Sequence, residues 1–287
     1  MNVERRSSDA VSGAHVFVEE LRKVPAFFRR DLLVLLSYRL AFVGDWLNLV
    51  LQVVVFYFVG RMIDPSRLPV VGGVRVSYME FVAVGIALTS FVQISLGRVV
   101  SVIRTEQVQG TLEALIVTPT SFTTIQLGSV AYDLVYIPIR IGLFLALASV
   151  AFDVHIVASG FVPALAIVAF FIPFVWGLGA VGAAGVLTFR RGSGLIGIGV
   201  SALTIASGTY FPLNVLPGWL RWLAAHNPIT LSLDGLREAL LAGTGWASVL
   251  PTIKVLAPVA AVSLAVGIVA LRLAIRRERR LGTLGSY

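Results

Sequence analysis

The chain has 287 residues, of which 57% are hydrophobic and only 13% charged, with a mean hydropathy of +0.90. Soluble domains carry roughly 25% charged residues, so this composition excludes a water-soluble globular protein and indicates an all-α polytopic membrane protein. Lys and Arg number 23 against 15 Asp and Glu, a net charge of +8; basic cytoplasmic loops account for that excess, and no nucleic-acid partner is expected.

The absence of cysteine excludes a disulfide framework, a thiolate metal site and a Cys nucleophile. His15, His155 and His226 lie far apart in sequence, which offers no local metal-binding pattern. Residues 1–14 are polar and small and read as a disordered cytoplasmic tail. Residues 1–30 carry scattered charge and lack the apolar run of roughly 7–15 residues that a secretory signal needs, so the first span is expected to persist in the mature protein. From His15 to about residue 38, Phe17, Leu21, Val24 and Phe28 recur at helical spacing among Arg22, Lys23, Arg29 and Arg30. This pattern predicts an amphipathic helix in the lipid interface; a soluble amphipathic arm would show the same pattern.

A bilayer core of about 30 Å takes roughly 20 apolar residues per helix. Six spans are predicted on that basis, at about 39–61, 78–97, 122–151, 161–189, 192–211 and 249–271. A Gly72-Gly73 loop separates the first two. Pro138 and Pro173 are expected kinks in spans 3 and 4, tolerated where neighbouring helices satisfy the freed carbonyls. In span 5, Ser193, Gly197 and Ser201 form a row of small residues that predicts close approach of another helix. The stretch 212–243 is too polar to span, because Arg221, His226, Asn227, Asp234, Arg237 and Glu238 would each be costly in hydrocarbon. Leu216, Trp219, Leu220 and Leu223 suit a short helix there with Trp at headgroup depth, followed by a second amphipathic piece after Asn227-Pro228. Residues 272–287 form a basic cytoplasmic tail with Arg272, Arg276, Arg277, Arg279 and Arg280, suited to anchoring on anionic lipid.

With the N-terminus inside, 16 of the 23 basic residues fall in cytoplasmic segments, so both termini are expected to be cytoplasmic. Asp133 and Arg140 are ionisable residues inside span 3, a default pointer to function. They share a face two turns apart, an offset of about 10.5 Å, so each is expected to find its partner on another helix or in a wet cavity; structural pairing or snorkelling explains them equally well. Gly192 to Gly197 matches G-x-G-x-x-G, but without a preceding strand it makes no dinucleotide site. The only lysines, Lys23 and Lys254, stand outside any P-loop pattern, so this chain is not expected to bind a nucleotide or other cofactor, and ATP would have to act through another subunit. Metalloprotease and serine-hydrolase signatures are also absent.

The segment from Arg104 to Ser121 is the most informative. Leu112, Leu115 and Ile116 share one side of a short helix while Glu113 points elsewhere, and Pro119 stops it; physics alone would also allow a lipid-surface helix. Glu106, Gly110, Thr111, Leu112, Glu113, Leu115, Thr118 and Pro119 resemble the E-x-x-x-G-T-L-E-x-L-x-x-T-P signature of the ABC type-2 (ABC-2) permeases, the membrane subunits of ABC exporters. A second block is similar to the same family: Ser207, Gly208, Phe211, Pro212, Leu216, Pro217, Trp219, Leu220, Pro228, Leu236 and Arg237.

The resemblance implies a transporter subunit rather than an enzyme. It implies two copies of a separate ATPase that binds ATP and Mg, and a second permease copy, most simply as a homodimer, in the cell membrane. It also implies that 106–119 is a coupling helix seated on the ATPase and flanked by the interfacial helix. The implied re-entrant helices at 212–243 would close the outer exit, with Phe211, Pro212, Leu216 and Pro217 as gate residues and Phe81 and Phe91 as further lining candidates. Val43-Gly44-Asp45-Trp46-Leu47 lacks the Pro that follows in polysaccharide exporters, and Thr118 to Ser121 replaces their second run. The chain therefore looks more like the drug, antibiotic and lipid exporters, with a lipid-linked polysaccharide or glycolipid as the alternative substrate. Two further alternatives are a proton-coupled carrier using Asp133 and Arg140, and an intramembrane enzyme using Asp133, Asp153 or His155.

Overall fold

A computed structural model describes residues 39–63, 69–108, 122–189 and 193–281, together with the isolated positions 25, 29, 33 and 37. The expected interfacial helix, apart from those four positions, and residues 109–121 of the expected coupling segment lie outside the described residues. Eight α-helices and one small hairpin are present among the described residues: α1 (Arg39–Arg61), β1 (Val70–Val71), β2 (Val74–Arg75), α2 (Tyr78–Val108), α3 (Phe122–Phe152), α4 (Phe161–Phe189), α5 (Ser193–Ala206), α6 (Gly218–Ala225), α7 (Pro228–Leu240) and α8 (Trp246–Leu281).

Among the described residues four apolar stretches are long enough to cross a membrane: Tyr78–Gly97, Val135–Phe152, Ala158–Thr188 and Trp246–Glu278. The apolar stretches of α1 and α5, Trp46–Arg61 and Gly197–Ala206, are shorter. Burial separates centre from periphery, since 78% of the α2 stretch is buried against 22% in α3 and 17% in α8. Val82, Ala83, Val84, Ile86 and Leu88 on α2 and Ile167, Phe171, Ile172 and Val175 on α4 form the middle of the core.

Lipid is as apolar as a leucine side chain, so helices in a bilayer associate through close packing and hydrogen bonds rather than through a hydrophobic drive. The closest seam joins α4 to α8. A Cβ on Gly177 would collide with the backbone of Ser263, and one on Gly267 would stand 2.5 Å from the Gly177 carbonyl oxygen. Ser263 Oγ adds a hydrogen bond to Phe174 O at 3.0 Å. Among the described residues, the row expected to pack in span 5 is left open at Gly197 and Ser201. Gly197 is exposed with no atom within 4 Å of a Cβ placed on it, and Ser201 is exposed too.

The loop expected at Gly72-Gly73 is a hairpin turn. Val71 pairs with Val74, and both glycines have positive φ, +55° and +82°, as a two-residue hairpin turn of the primed type requires. Ser77 then caps α2 reciprocally with Glu80. Glu80 N donates to Ser77 Oγ at 3.1 Å and Ser77 N donates to Glu80 Oε2 at 2.6 Å, the capping-box arrangement. The same carboxylate accepts from His155 N at 3.1 Å, which fastens the turn between α3 and α4 to the start of α2. Asp153, at φ +56°, ends α3 in a left-handed conformation that short polar side chains tolerate. Val157 N donates to Leu240 O at 2.8 Å, so this turn also holds the end of α7.

Three boundaries differ from the sequence-based expectations. α2 runs on to Val108, so Glu106 belongs to the same continuous helix as span 2: Arg98 and Arg104 interrupt the hydropathy but not the backbone hydrogen bonds. α8 continues to Leu281, so the basic tail expected from 272 is helical over most of its charged residues. α5 ends at Ala206, about five residues before the expected end of span 5. Gly208 there has φ +75°, and Pro212 lies in extended backbone with φ −63° and ψ 145°. Residues 207–217 therefore continue as turns and a short 3-10 segment, Leu213–Val215.

Candidate functional site

The non-helical run after α5 is held in place by α6 and α7. Pro217 stands at the N-terminus of α6, and Arg221 Nη2 donates to Asn214 O at 2.8 Å and Leu216 O at 3.0 Å. Asn227 caps α7 by accepting from Ile229 N at 3.0 Å, while its Nδ2 donates to Leu203 O on α5 at 3.0 Å. Pro228 occupies the first turn of α7, where a missing N–H costs nothing. α7 is then buried along Ile229, Leu233, Leu236 and Leu240.

Arg237 of α7 is the largest fully buried side chain, 2% exposed. Its Nε donates to Phe81 O at 3.2 Å, and its Nη2 donates to Gly208 O at 3.1 Å and Thr209 O at 3.0 Å. The guanidinium carbon lies 3.4 Å from the centroid of the Phe81 ring, a close cation–π contact. Nη1 faces Asp234 Oδ1 at 3.8 Å. One side chain thus joins α7 to α2 and to the turn after α5. Burial lowers its pKa to about 9, opposed by the Asp234 charge, which leaves it protonated at neutral pH. Enclosure raises the Asp234 carboxyl to about 6, partly offset by Arg237 and reinforced by Glu238, although the side chain is about half exposed toward open space.

That open space is a cleft of about 1000 Å³ at the hairpin end of the bundle. Its walls come from Phe56 of α1, Val70 and Val71 of the hairpin, Tyr78 and Phe81 of α2, Gly208 and residues 210–215, with Asp234, Arg237 and Glu238 along one side. Tyr210 organises it. Its ring stacks on Phe56 with centroids 5.1 Å apart and planes within 9°, its carbonyl accepts from Tyr78 Oη at 2.9 Å, and its hydroxyl is 3.4 Å from Gln52 Nε2. Gly85 permits this closeness, since a Cβ there would meet Thr209 O at 2.5 Å.

Of the residues selected from sequence, Phe211 and Pro212 line this cleft, as does Phe81. Leu216 is buried, and Pro217 is exposed at the start of α6. Phe91 lines a separate gap of about 20 Å³ together with Tyr136 and Arg140. Arg140 is buried, with its guanidinium 5.9 Å from the Trp46 ring centroid of α1. Asp133 is on α3, and Glu106 is at the far end of α2 from the cleft. Gly110, Thr111, Leu112, Glu113, Leu115, Thr118 and Pro119 lie outside the described residues.

The enzyme alternative offers Asp133, Asp153 or His155 as acid or base, and the structure does not bring all three together. Asp133 is separated from the turn that holds the other two by most of α3, roughly 28 Å of helix. His155 instead places Nδ1 3.4 Å from Glu80 Oε1 with its ring largely exposed. Among the described residues no three His, Asp or Glu side chains are grouped to hold a metal ion. The sequence reading missed Arg237 as a buried residue and counted it among the charges that keep 212–243 out of hydrocarbon. Its carbonyl acceptors belong to residues 28, 29 and 156 positions away, which no local pattern reveals.

A model of the ABC-2 type transporter family matches residues 23–241. The chain belongs to the ABC-2 type transporter family. No curated protein matches it. An ABC-2 chain is the permease component of an ABC transporter, an integral membrane protein of a family that normally works with an ABC ATPase. In this ABC-2 permease the matched region takes in the cleft and the whole of α7, including Arg237.

Proposed function

We propose that this permease is the membrane subunit of an ATP-driven exporter that moves an amphipathic drug-like, antibiotic or lipid-type molecule out of the cytoplasm or inner leaflet by alternating access. Two separate ATPase subunits bind ATP and Mg, and a homodimer of the permease carries the path. Both termini are cytoplasmic, the hairpin end faces outward, and the 106–119 segment is the coupling helix on which the ATPase acts. Phe211, Pro212, Leu216 and Pro217 form the outer gate.

The observation that supports this reading is the continuity of α2. One helix places Tyr78 and Phe81 in the cleft wall and Glu106, the first residue of the coupling signature, at its other end. At 1.5 Å per residue its 31 residues make a rod of roughly 46 Å. A displacement imposed at Glu106 therefore reaches the cleft along one unbroken helix. The work comes from nucleotide binding that differs between two states, as any ligand-driven shift requires.

The test is affinity purification of the tagged chain from its native membrane, wild type beside Gly110→Pro and Glu113→Ala. The expected result is a Walker-motif ATPase recovered with wild type and lost with Gly110→Pro, and ATP hydrolysis no longer driving transport in Glu113→Ala. Recovery of no ATPase with wild type, or normal transport by both variants, overturns the coupling assignment.

A further inference from the structure

α8 carries one charge well inside its apolar stretch. Between Trp246 and Arg272 the only ionisable residue is Lys254, exposed on the outside of the bundle in a stretch that is only 17% buried. It enters no hydrogen bond or ion pair among the described residues. An ionisable residue in hydrocarbon is costly and points to a partner. Depth is the first indication of which partner. Trp246 begins α8 and is exposed, as suits a residue at headgroup level, and it follows closely on Ala242 and Thr244, which a Cβ on Gly72 of the hairpin turn would touch. Lys254 lies eight residues further, a descent of about 12 Å. Side chains on a helix lean toward its N-terminus, so a snorkelling ammonium returns toward the level of Trp246. The backbone gives the second indication. Ala247, Pro251, Lys254 and Pro258 recur at helical spacing and all four are exposed, so they share one face. Pro251 is inside the helix and has no N–H, which deprives the Ala247 carbonyl of its donor four residues on. This face therefore presents a cation and, two turns nearer the hairpin end, a carbonyl acceptor.

We propose that this face of α8 binds one anionic phospholipid of the leaflet at the hairpin end, with its phosphate on the Lys254 ammonium and a headgroup hydroxyl donating to the Ala247 carbonyl. The acyl chains lie along the exposed Val255, Val262 and Val266. An anionic lipid matches the single positive charge, whereas a choline headgroup brings a cation of its own beside it. A carboxylate of a second copy would have to enter hydrocarbon to meet the same ammonium; a phosphate already stands at the depth to which lysine snorkels. The proposal asks only that α8 cross the bilayer. It holds whichever way the hairpin end faces and whether or not an ATPase is recruited.

The experiment uses the full chain, whose lack of cysteine allows one label at a time. Val255→Cys, beside Lys254, carries a bimane, and Val269→Cys, exposed nearer the other end of α8, carries it in a control chain. Each is reconstituted in vesicles of phosphatidylcholine and phosphatidylglycerol, one or the other with brominated acyl chains, and quenching reports which lipid stands at the label. At Val255→Cys, phosphatidylglycerol is expected to be favoured roughly fivefold, the effect of one basic residue beside an anionic headgroup. Lys254→Gln should remove that preference and Lys254→Arg should keep it, with the ratio at Val269→Cys unchanged by either. Equal quenching by the two lipids while Lys254 is present, or a preference that survives Lys254→Gln, overturns the site. So does a Lys254→Gln effect that appears equally at Val269→Cys, since it is then not local. Quenching by neither lipid at Val255→Cys places protein on this face and overturns the site as well.

Discussion

Arg237 is the residue on which the hairpin end depends most. Buried backbone carbonyls need a donor, and those of Gly208 and Thr209 find theirs in one guanidinium. Removing one partner from a buried charged network costs about 3 kcal/mol or more. Arg237→Ala should therefore lower the thermal unfolding midpoint sharply, and Arg237→Lys should rescue little, because an ammonium cannot fork across three carbonyls and stack on Phe81. Asp234 gives a pH signature. Its carboxyl is pushed up to about 6 from an ordinary 3.8, so folding favours the protonated acid. That contribution is complete below 3.8 and is lost as pH rises through about 6. Relative to Asp234→Asn, wild type should lose thermal stability between about pH 4 and about pH 6.5 and change little above that. Sequence made the identity of these residues visible but not their fate, since a charge in a polar stretch reads alike whether it faces water or three carbonyls from distant elements.

At the scale of elements, the seam between α4 and α8 and the short α5 show what local patterns reveal. Four of the six expected spans overlap stretches long and apolar enough to cross a membrane among the described residues, since apolar runs of that length have few other uses, and the fourth has the bounds of α4. The packing was not legible in this way. Small residues are abundant in both Phe161–Phe189 and Ser193–Ala206, and composition alone does not say which of them meets a partner. Gly177 and Gly267, which do meet, are 90 residues apart in sequence. Gly267→Leu should abolish folded yield in detergent, because a side chain there meets the Gly177 backbone. Gly197→Ala should leave the unfolding midpoint of the isolated chain unchanged, since nothing stands within 4 Å. The early end of α5 was hidden for a related reason: hydropathy continues through Tyr210 and Phe211, whereas the helix stops where Gly208 takes a positive φ. At 14 residues α5 is roughly 21 Å long, too short to cross a 30 Å core alone.

For the whole molecule, the proposed orientation can be tested with a minimum of engineering because the natural sequence contains no cysteine. Trp219→Cys on exposed α6 should react with a membrane-impermeant maleimide in intact cells, whereas Ser286→Cys should react only after permeabilisation. The opposite pattern inverts the topology. The assignment of the signature segment rests on sequence, since residues 109–121 lie outside the described residues, while the cleft emerged only from the structure, its walls being drawn from α1, the hairpin, α2, the turn after α5 and α7. The unbroken course of α2 has a consequence in leverage. A stiff rod of roughly 46 Å that tilts by only about 5° about one end sweeps the other through about 4 Å, comparable to the thickness of an aromatic ring. A rotation too small to disturb the packing beside the signature would thus be enough to part Phe81 from the turn that Arg237 ties to it, so the end that opens widest need not be the end that is pushed.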